Sequence, residues 1–263
     1  MKRMRLVLTL ALAAVLIVSG GMFIHQLLDY RAGDAAYEEA AEIAKLPEPA
    51  SEAPEVPAEA PAAEPTPEPS AEPQTDPLAS IDLAALQAVN ADVLGWLSIP
   101  DTAISYPLVQ GSDNDYYLTH TWNRSSSAVG AIFMDARCAS DRSGFNTVIY
   151  GHRMNNGSMF ASLKYYNDPS YRQAHPRIYL VDASGSHTYD IYAAYEVSTE
   201  GEAYRLSFSD DAERQAFLND GLSRSVISTG ITPQVSGRVL TLSTCMEEER
   251  LVILARRQRE DES

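Results

Sequence analysis

The sequence predicts a mostly β fold, a closed or nearly closed barrel with a few helices, set behind an N-terminal apolar helix and a proline-rich linker. Three observations carry that expectation. From Ile104 onward, runs rich in Val, Ile, Tyr and Thr alternate with clusters of Gly, Asn, Asp, Ser and Pro, the punctuation of a strand-and-turn protein. From Leu6 to Ile24 the run "LVLTLALAAVLIVSGGMFI" carries no charge and has about the ~20 residues that span a bilayer. From Pro47 to Pro77 the chain holds most of its 15 prolines and about half of its net charge of −16, a composition that builds no core.

Residues 1–28 form the first element. Lys2, Arg3 and Arg5 precede the apolar run, so the N-terminus is expected inside the cell and everything after Leu28 outside it. A cleaved signal peptide shares the basic start, but its apolar core is shorter and closes on an A-x-A-like site, which is lacking here. Residues 29–46, with "DAAYEEAAEIAK", predict a short juxtamembrane helix of little consequence. Residues 47–78 predict a disordered, extended linker. At ~3.1 Å per residue it reaches on the order of 90 Å, a stalk holding a domain off the membrane. Its acidity argues against nucleic-acid binding and for solubility.

Residues 79–263 are long enough for one core of ordinary domain size. Ser80 is placed to cap a helix over "IDLAALQAVN", where Leu83 and Leu86 recur at helical spacing. Strands are expected at "ISYPLV", "AVGAIFMD", "NTVIYG", "RIYLVD", "HTYDIYAAYEV", "GRVLTLST" and "RLVILA", in the pattern of an antiparallel sheet or barrel. "DASGS", Asp182 to Ser186, reads as a hairpin. One amphipathic helix interrupts the series: Ser209 caps "DDAERQAFLNDGL", with acids in the first turn and Phe217, Leu218 and Leu222 on the buried side.

The candidate chemistry centres on "TLSTCMEEERLVILA", Thr241 to Ala255. If its two apolar runs are adjacent antiparallel strands, Met246 to Glu249 form a four-residue connection and Cys245 faces Arg250, with Cβ atoms ~5 Å apart. Period-two alternation puts Ser243 on that face and Leu242 and Thr244 on the other. A fixed cation beside the thiol lowers its pKa and offers a donor to an oxyanion, while the glutamates project into water and are screened. The plain alternative is a buried cysteine in an ordinary strand with an arginine at its edge. Of the histidines, His152 follows the apolar strand "TVIY" and a glycine, where it can reach a neighbouring strand end. A merely structural histidine is the equal alternative there. His120 and His175 read as helix or loop residues, and His187, starting a strand after a turn, as solvent-facing. Cys138, the other cysteine, reads as a free loop thiol, because two cysteines make no disulfide framework.

With these residues in hand the chain resembles a sortase, and within that family class B. The resemblance rests on separated blocks in order: "NADVLGWLSIPDTAISYPLVQGSDNDYYL", "GAIFMD", "NTVIYGHRMNNGSMFASLKYY", and "TLSTC" followed by an arginine-led strand. It implies an eight-stranded sortase barrel with N-terminal helices and an inserted helix, and a membrane-tethered cysteine transpeptidase with its catalytic domain outside the cell. By motif it implies Cys245 as nucleophile, His152 as general acid and Arg250 as oxyanion stabiliser, with Ser243 and Thr244 as substrate contacts. Its partners are then surface proteins bearing a sorting signal and an amine from a cell-wall precursor peptide or a pilin lysine, with no metal or other cofactor. Family members commonly carry a longer segment than "MEEE" between cysteine and arginine, so Arg256 and Arg257 stand as fallbacks for Arg250, ~20 Å away along the strand. Two other readings remain beside it: a papain-like cell-wall peptidase, whose cysteine normally precedes its histidine, and a tethered adhesion or scaffold domain.

Overall fold

The computed structural model describes residues 2–46, 78, 81–245 and 249–258, the side chains of residues 2–9, 11, 245 and 249 excepted. Its centre is a closed barrel of eight strands: β1 (Val93–Ser98), β2 (Ser105–Val109), β3 (Ile132–Met134), β4 (Asn146–His152), β5 (Arg177–Asp182), β6 (Gly185–Ser198), β7 (Val239–Cys245) and β8 (Glu249–Arg257). Around the barrel they run β1-β2-β3-β4-β7-β8-β6-β5. The expected runs become β2 to β8, and "DASGS" is a tight turn in which Asp182 pairs with Gly185, whose φ of +118° suits glycine. The connection expected at Met246 to Glu249 is only partly in view: β8 begins at Glu249, and residues 246–248 lie outside the described residues.

The barrel is not wholly antiparallel. β2 pairs with β3, and β4 with β7, in parallel. A parallel neighbour needs a long crossover, and each of these has one. The first carries a short 3-10 turn, Tyr116–Leu118. The second contains a short helix α3 (Pro169–Ala174), β5, β6 and the helix α4 (Asp211–Arg224) before β7 returns beside β4.

Period-two alternation divides the apolar side chains into two layers. Leu97, Leu108, Ile132, Ile149, Leu242 and Ile253 fill the barrel. Val148, Tyr150, Val252 and Leu254 face outward beneath the helices. α4 packs there through Phe217, Leu218 and Gly221 rather than Leu222, which is half-exposed. Gly221 permits the close approach, since a Cβ there would lie 3.0 Å from Leu254 Cδ2. Its cap is Asp210, not Ser209. Asp210 Oδ1 accepts from the Glu213 N–H at 2.9 Å, satisfying an orphan donor of the first turn, and Glu213 Oε2 accepts from the N–H of Ser209, just before the cap, at 2.8 Å. The short helix α2 (Leu83–Val89) is capped by Asp82, with Leu86 buried; Ser80 lies outside the described residues.

The largest departure concerns the N-terminal helix. α1 runs unbroken from Lys2 to Ala44, about 65 Å at 1.5 Å per residue. Its large apolar side chains from Leu10 to Leu28 are exposed, a stretch long and apolar enough to cross a membrane. From Gly33 the same helix lies on the barrel, burying Ala36, Ala40 and Ala44. Residues 29–44 are thus a packed part of the fold rather than a helix of little consequence. The stalk reading changes with it. Ala44 O accepts from the Asp82 N–H at 3.1 Å, and Lys45 pairs with Asp82, so the described residues on either side of the proline-rich segment lie together. It does not separate the apolar helix from the barrel. The segment itself lies outside the described residues.

Candidate active site

The parallel ladder of β4 and β7 stays in register from Asn146 opposite Val239 to His152 opposite Cys245. Registered residues of neighbouring strands share a face, so these two strand ends form one row. β8 extends it. The antiparallel ladder from Val239 opposite Arg256 to Ser243 opposite Val252, carried two steps further along both strands, sets Arg250 against Cys245. One row therefore holds histidine, cysteine and arginine. Arg256 and Arg257 lie at the other end of β8, Arg256 bonded to Asp190 and Arg257 to His187.

His152 is half-buried, and its Nε2 lies 2.7 Å from the Leu118 carbonyl. A carbonyl only accepts, so Nε2 carries the proton and donates. Among the described residues Nδ1 has no hydrogen-bond partner. Gly151, just before it, lets neighbours press on the backbone: a Cβ there would lie 2.5 Å from Ile132 Cδ1 and 2.8 Å from Phe160 Cδ2.

Arg250 borders a cavity of about 200 Å³ lined also by Asn114, Asp115, Leu118, Phe133, Tyr150 and Tyr204. Its guanidinium lies over the Tyr150 ring, 5.9 Å from the centroid, and its Nε is buried with no hydrogen-bond partner among the described residues. Tyr150 is itself held. Its hydroxyl donates to Asp135 Oδ2 at 2.9 Å, and Arg137 grips the same carboxylate through Nε and Nη2 at 3.0 and 2.7 Å. Burial works to raise the Asp135 carboxyl, but the Arg137 guanidinium and N–H, with the Tyr150 hydroxyl, outweigh it and hold it below the usual range. Burial and that carboxylate push Tyr150 far above an ordinary phenol, so it stays a neutral donor.

Ser243 and Thr244 face opposite ways, as the alternation requires. Ser243 is fully buried, 2.9 Å from the Tyr204 hydroxyl. Thr244 accepts from the Leu251 N–H at 3.1 Å, fastening β7 to β8 next to Arg250. The loop bearing Tyr204 is tied down by Asn146, whose Nδ2 donates to Ala203 O and Arg205 O. Sequence reasoning passed over Tyr150, Asp135, Leu118 and Tyr204. Tyr150 had a signal, lying two residues before His152 on the same face; Tyr204 had none.

The remaining polar candidates sit elsewhere. His120 stacks on Tyr116 at 4.0 Å, and His175 Nδ1 lies 2.9 Å from Pro100 O. His187 is not solvent-facing: it is 7% exposed, between Asp182, Ser184 and Arg257. Cys138 is a free, partly buried thiol, pushed up by burial despite the Val148 N–H near it. Among the described residues no cluster of His, Cys, Asp or Glu is suited to a metal ion.

The sortase domain family model matches residues 97–258, more than half of the chain and nearly the whole barrel. Sortase B of Listeria monocytogenes serovar 1/2a is 36% identical over 168 residues, covering 64% of this chain and 68% of that protein. Among solved structures, sortase B from Bacillus anthracis in complex with AAEK2 superposes with a TM-score of 0.71 at 29% identity, covering 88% of this chain and 98% of that one. The Staphylococcus aureus sortase B–substrate complex gives 0.65 at 30% identity, covering 68% and 85%. Fold, strand-end site and relatives converge, and the chain belongs to the sortase family of cysteine transpeptidases, membrane-associated enzymes of the cell wall. Within that family it is a class B sortase. The papain-like and scaffold readings fall with that assignment.

Proposed function

We propose that this enzyme cleaves a sorting signal after its threonine and joins the released carboxyl to an amine of a cell-wall precursor peptide or a pilin lysine. The Cys245 thiolate attacks the threonine carbonyl, forming the C–S bond, and the C–N bond breaks as His152 passes a proton to the leaving amine. The acceptor amine then attacks the thioester, His152 takes its proton, and the thiolate leaves. Nδ1 carries this proton, because Nε2 is committed to the Leu118 carbonyl. Arg250 supplies the oxyanion donor, its buried Nε having no partner among the described residues. Ser243, two residues before Cys245 in the same strand, is held by Tyr204, and Thr244 acts by holding Leu251 and hence the start of β8.

The observation that supports this reading best is the single row of His152, Cys245 and Arg250 across β4, β7 and β8. The scheme needs no metal or cofactor. Purified enzyme, candidate sorting peptides and an amine acceptor test it. Cys245→Ala and His152→Ala each abolish product, and activity surviving Cys245→Ala refutes the mechanism. The topology that goes with it has the N-terminus in the cytoplasm and the barrel outside. A C-terminal epitope tag reached by antibody on intact protoplasts is the expected result.

A further inference from the structure

We propose that Tyr37, on the membrane-anchor helix, is a positioning residue for His152, so that the chemistry on the barrel depends on a contact made by the anchor. The inference rests on the general-acid role just given to His152. Two separate routes connect the residues. On the first, the Tyr37 hydroxyl donates to the Gly130 carbonyl. Gly130, at φ +64°, packs so tightly on the catalytic imidazole that a Cβ would lie 2.9 Å from His152 Cδ2. The same Cβ would lie 2.8 Å from the Leu118 carbonyl, the acceptor that sets the tautomer of His152. On the second, the Tyr37 ring meets Tyr106 edge-on with centroids 5.0 Å apart. The Tyr106 hydroxyl accepts from the Met159 N–H at 3.0 Å, and the next residue, Phe160, donates its N–H to the His152 carbonyl at 2.8 Å. One route ends on the imidazole and its acceptor, the other on the histidine backbone.

The helix is docked firmly enough to transmit this constraint. The Ala128 N–H donates to Asp29 Oδ2 at 2.9 Å and Trp122 Nε1 donates to Ala36 O at 2.6 Å, bracketing Tyr37 from the N-terminal side. Gly33 brings the backbones together, since a Cβ there would lie 2.6 Å from Val129 Cγ2, one residue from Gly130. A proton donor misplaced by a fraction of an ångström loses rate in the step that moves the proton and leaves binding alone.

Leaving-group dependence separates positioning from general loosening. Acylation of Cys245 by a peptide expels an amine, which needs the proton of His152; acylation by a thioester of the same sorting sequence expels a thiolate, which does not. With the full chain in detergent, Tyr37→Phe is expected to lower kcat for the peptide about 10-fold, with KM and the thioester rate within about 2-fold of the parent. Asn123→Ala, which cuts the bond from the same helix through Glu39, leaves the peptide-to-thioester ratio unchanged. A Tyr37→Phe enzyme with both rates unchanged, or both lowered equally, overturns the proposal, as does an equal change of ratio in Asn123→Ala. His152→Ala marks the other failure. If it still cleaves peptide, the general-acid reading falls and takes the proposal with it; if it loses peptide cleavage while keeping thioester acylation, the Tyr37 result stands on its own.

Discussion

Two histidine–arginine clusters occupy opposite ends of this barrel, and they are built differently. At the end away from the thiol, His187 Nδ1 accepts from Arg257 at 2.6 Å and its Nε2 lies 3.2 Å from Asp182. Asp182 also pairs with Arg142, which is 5% exposed and reaches the Tyr189 hydroxyl at 3.3 Å. Arginine, histidine and carboxylate there answer one another, in the arrangement that makes buried charge tolerable. At the other end His152 meets a backbone carbonyl, Arg250 meets the face of Tyr150, and its Nε meets none of the described residues. The carboxylate, Asp135, is one residue removed, spent on Tyr150 and Arg137. The same residue types are saturated at one end of the barrel and left with free valence among the described residues at the other, the end of the proposed site.

Breaking the saturated end should have the largest effect. Asp182→Ala strands the buried Arg142 guanidinium and removes a partner of His187, and costs about 3–5 kcal/mol of stability, read by denaturant unfolding, while kcat per folded molecule stays that of the parent. At the open end the order of effects reverses. Arg250→Ala lowers kcat for peptide cleavage by about 10²–10³-fold, with little change in unfolding midpoint, and Arg250→Lys restores little of it because the planar fork is lost. A kcat within a few-fold of the parent in Arg250→Ala would move the oxyanion donor elsewhere. Tyr204→Phe is smaller, since the hydroxyl facing Ser243 contributes about 0.5–1.5 kcal/mol; the expected readout is a KM for sorting peptide raised a few-fold at unchanged kcat.

The smallest effect is one of pH. The Asp135 carboxyl titrates lower in the folded protein than in the unfolded chain, so its contribution is fully present above the unfolded value near pH ~4 and is lost as pH falls through the lower folded one. Thermal unfolding followed from pH 5 to pH 2 should show a shallower acid decline in Asp135→Asn than in the parent. Equal slopes would remove Asp135 from the account of how Tyr150 is held.

Much of this was readable before any coordinates, and what was missed was missed for physical reasons. β2 to β8 announce themselves by β-branched runs between turn residues. β1 does not, because nearly every residue of "VLGWLS" is buried and no alternation survives. Its Gly95 looks like a breaker, yet a Cβ there would lie 2.1 Å from the Val181 carbonyl of β5, so the glycine is what lets the strands pair. Cys245 and Arg250 could be placed face to face by counting across one hairpin. His152 could only be placed near a strand end, because its parallel partner is set by a crossover that no local pattern encodes. The docking of α1 was hidden for another reason: Ala36, Ala40 and Ala44 among acids look like a solvated helix, and only a close-packed partner makes small residues a contact surface. His187 was misread because a position after a hairpin turn does not reveal what packs over it.

The pairing of β4 with β7 has a consequence for how the enzyme reaches its place of work. His152 and Cys245 meet across a sequence separation of roughly 90 residues, a nonlocal contact of the kind that forms late in folding. β7 and β8 follow every other strand in the chain, so an emerging polypeptide delivers its anchor helix first and its thiol last. Until the barrel closes, Cys245 has neither His152 nor Arg250 in its row. Any chemistry that needs this row of three residues is thereby deferred to the end of folding.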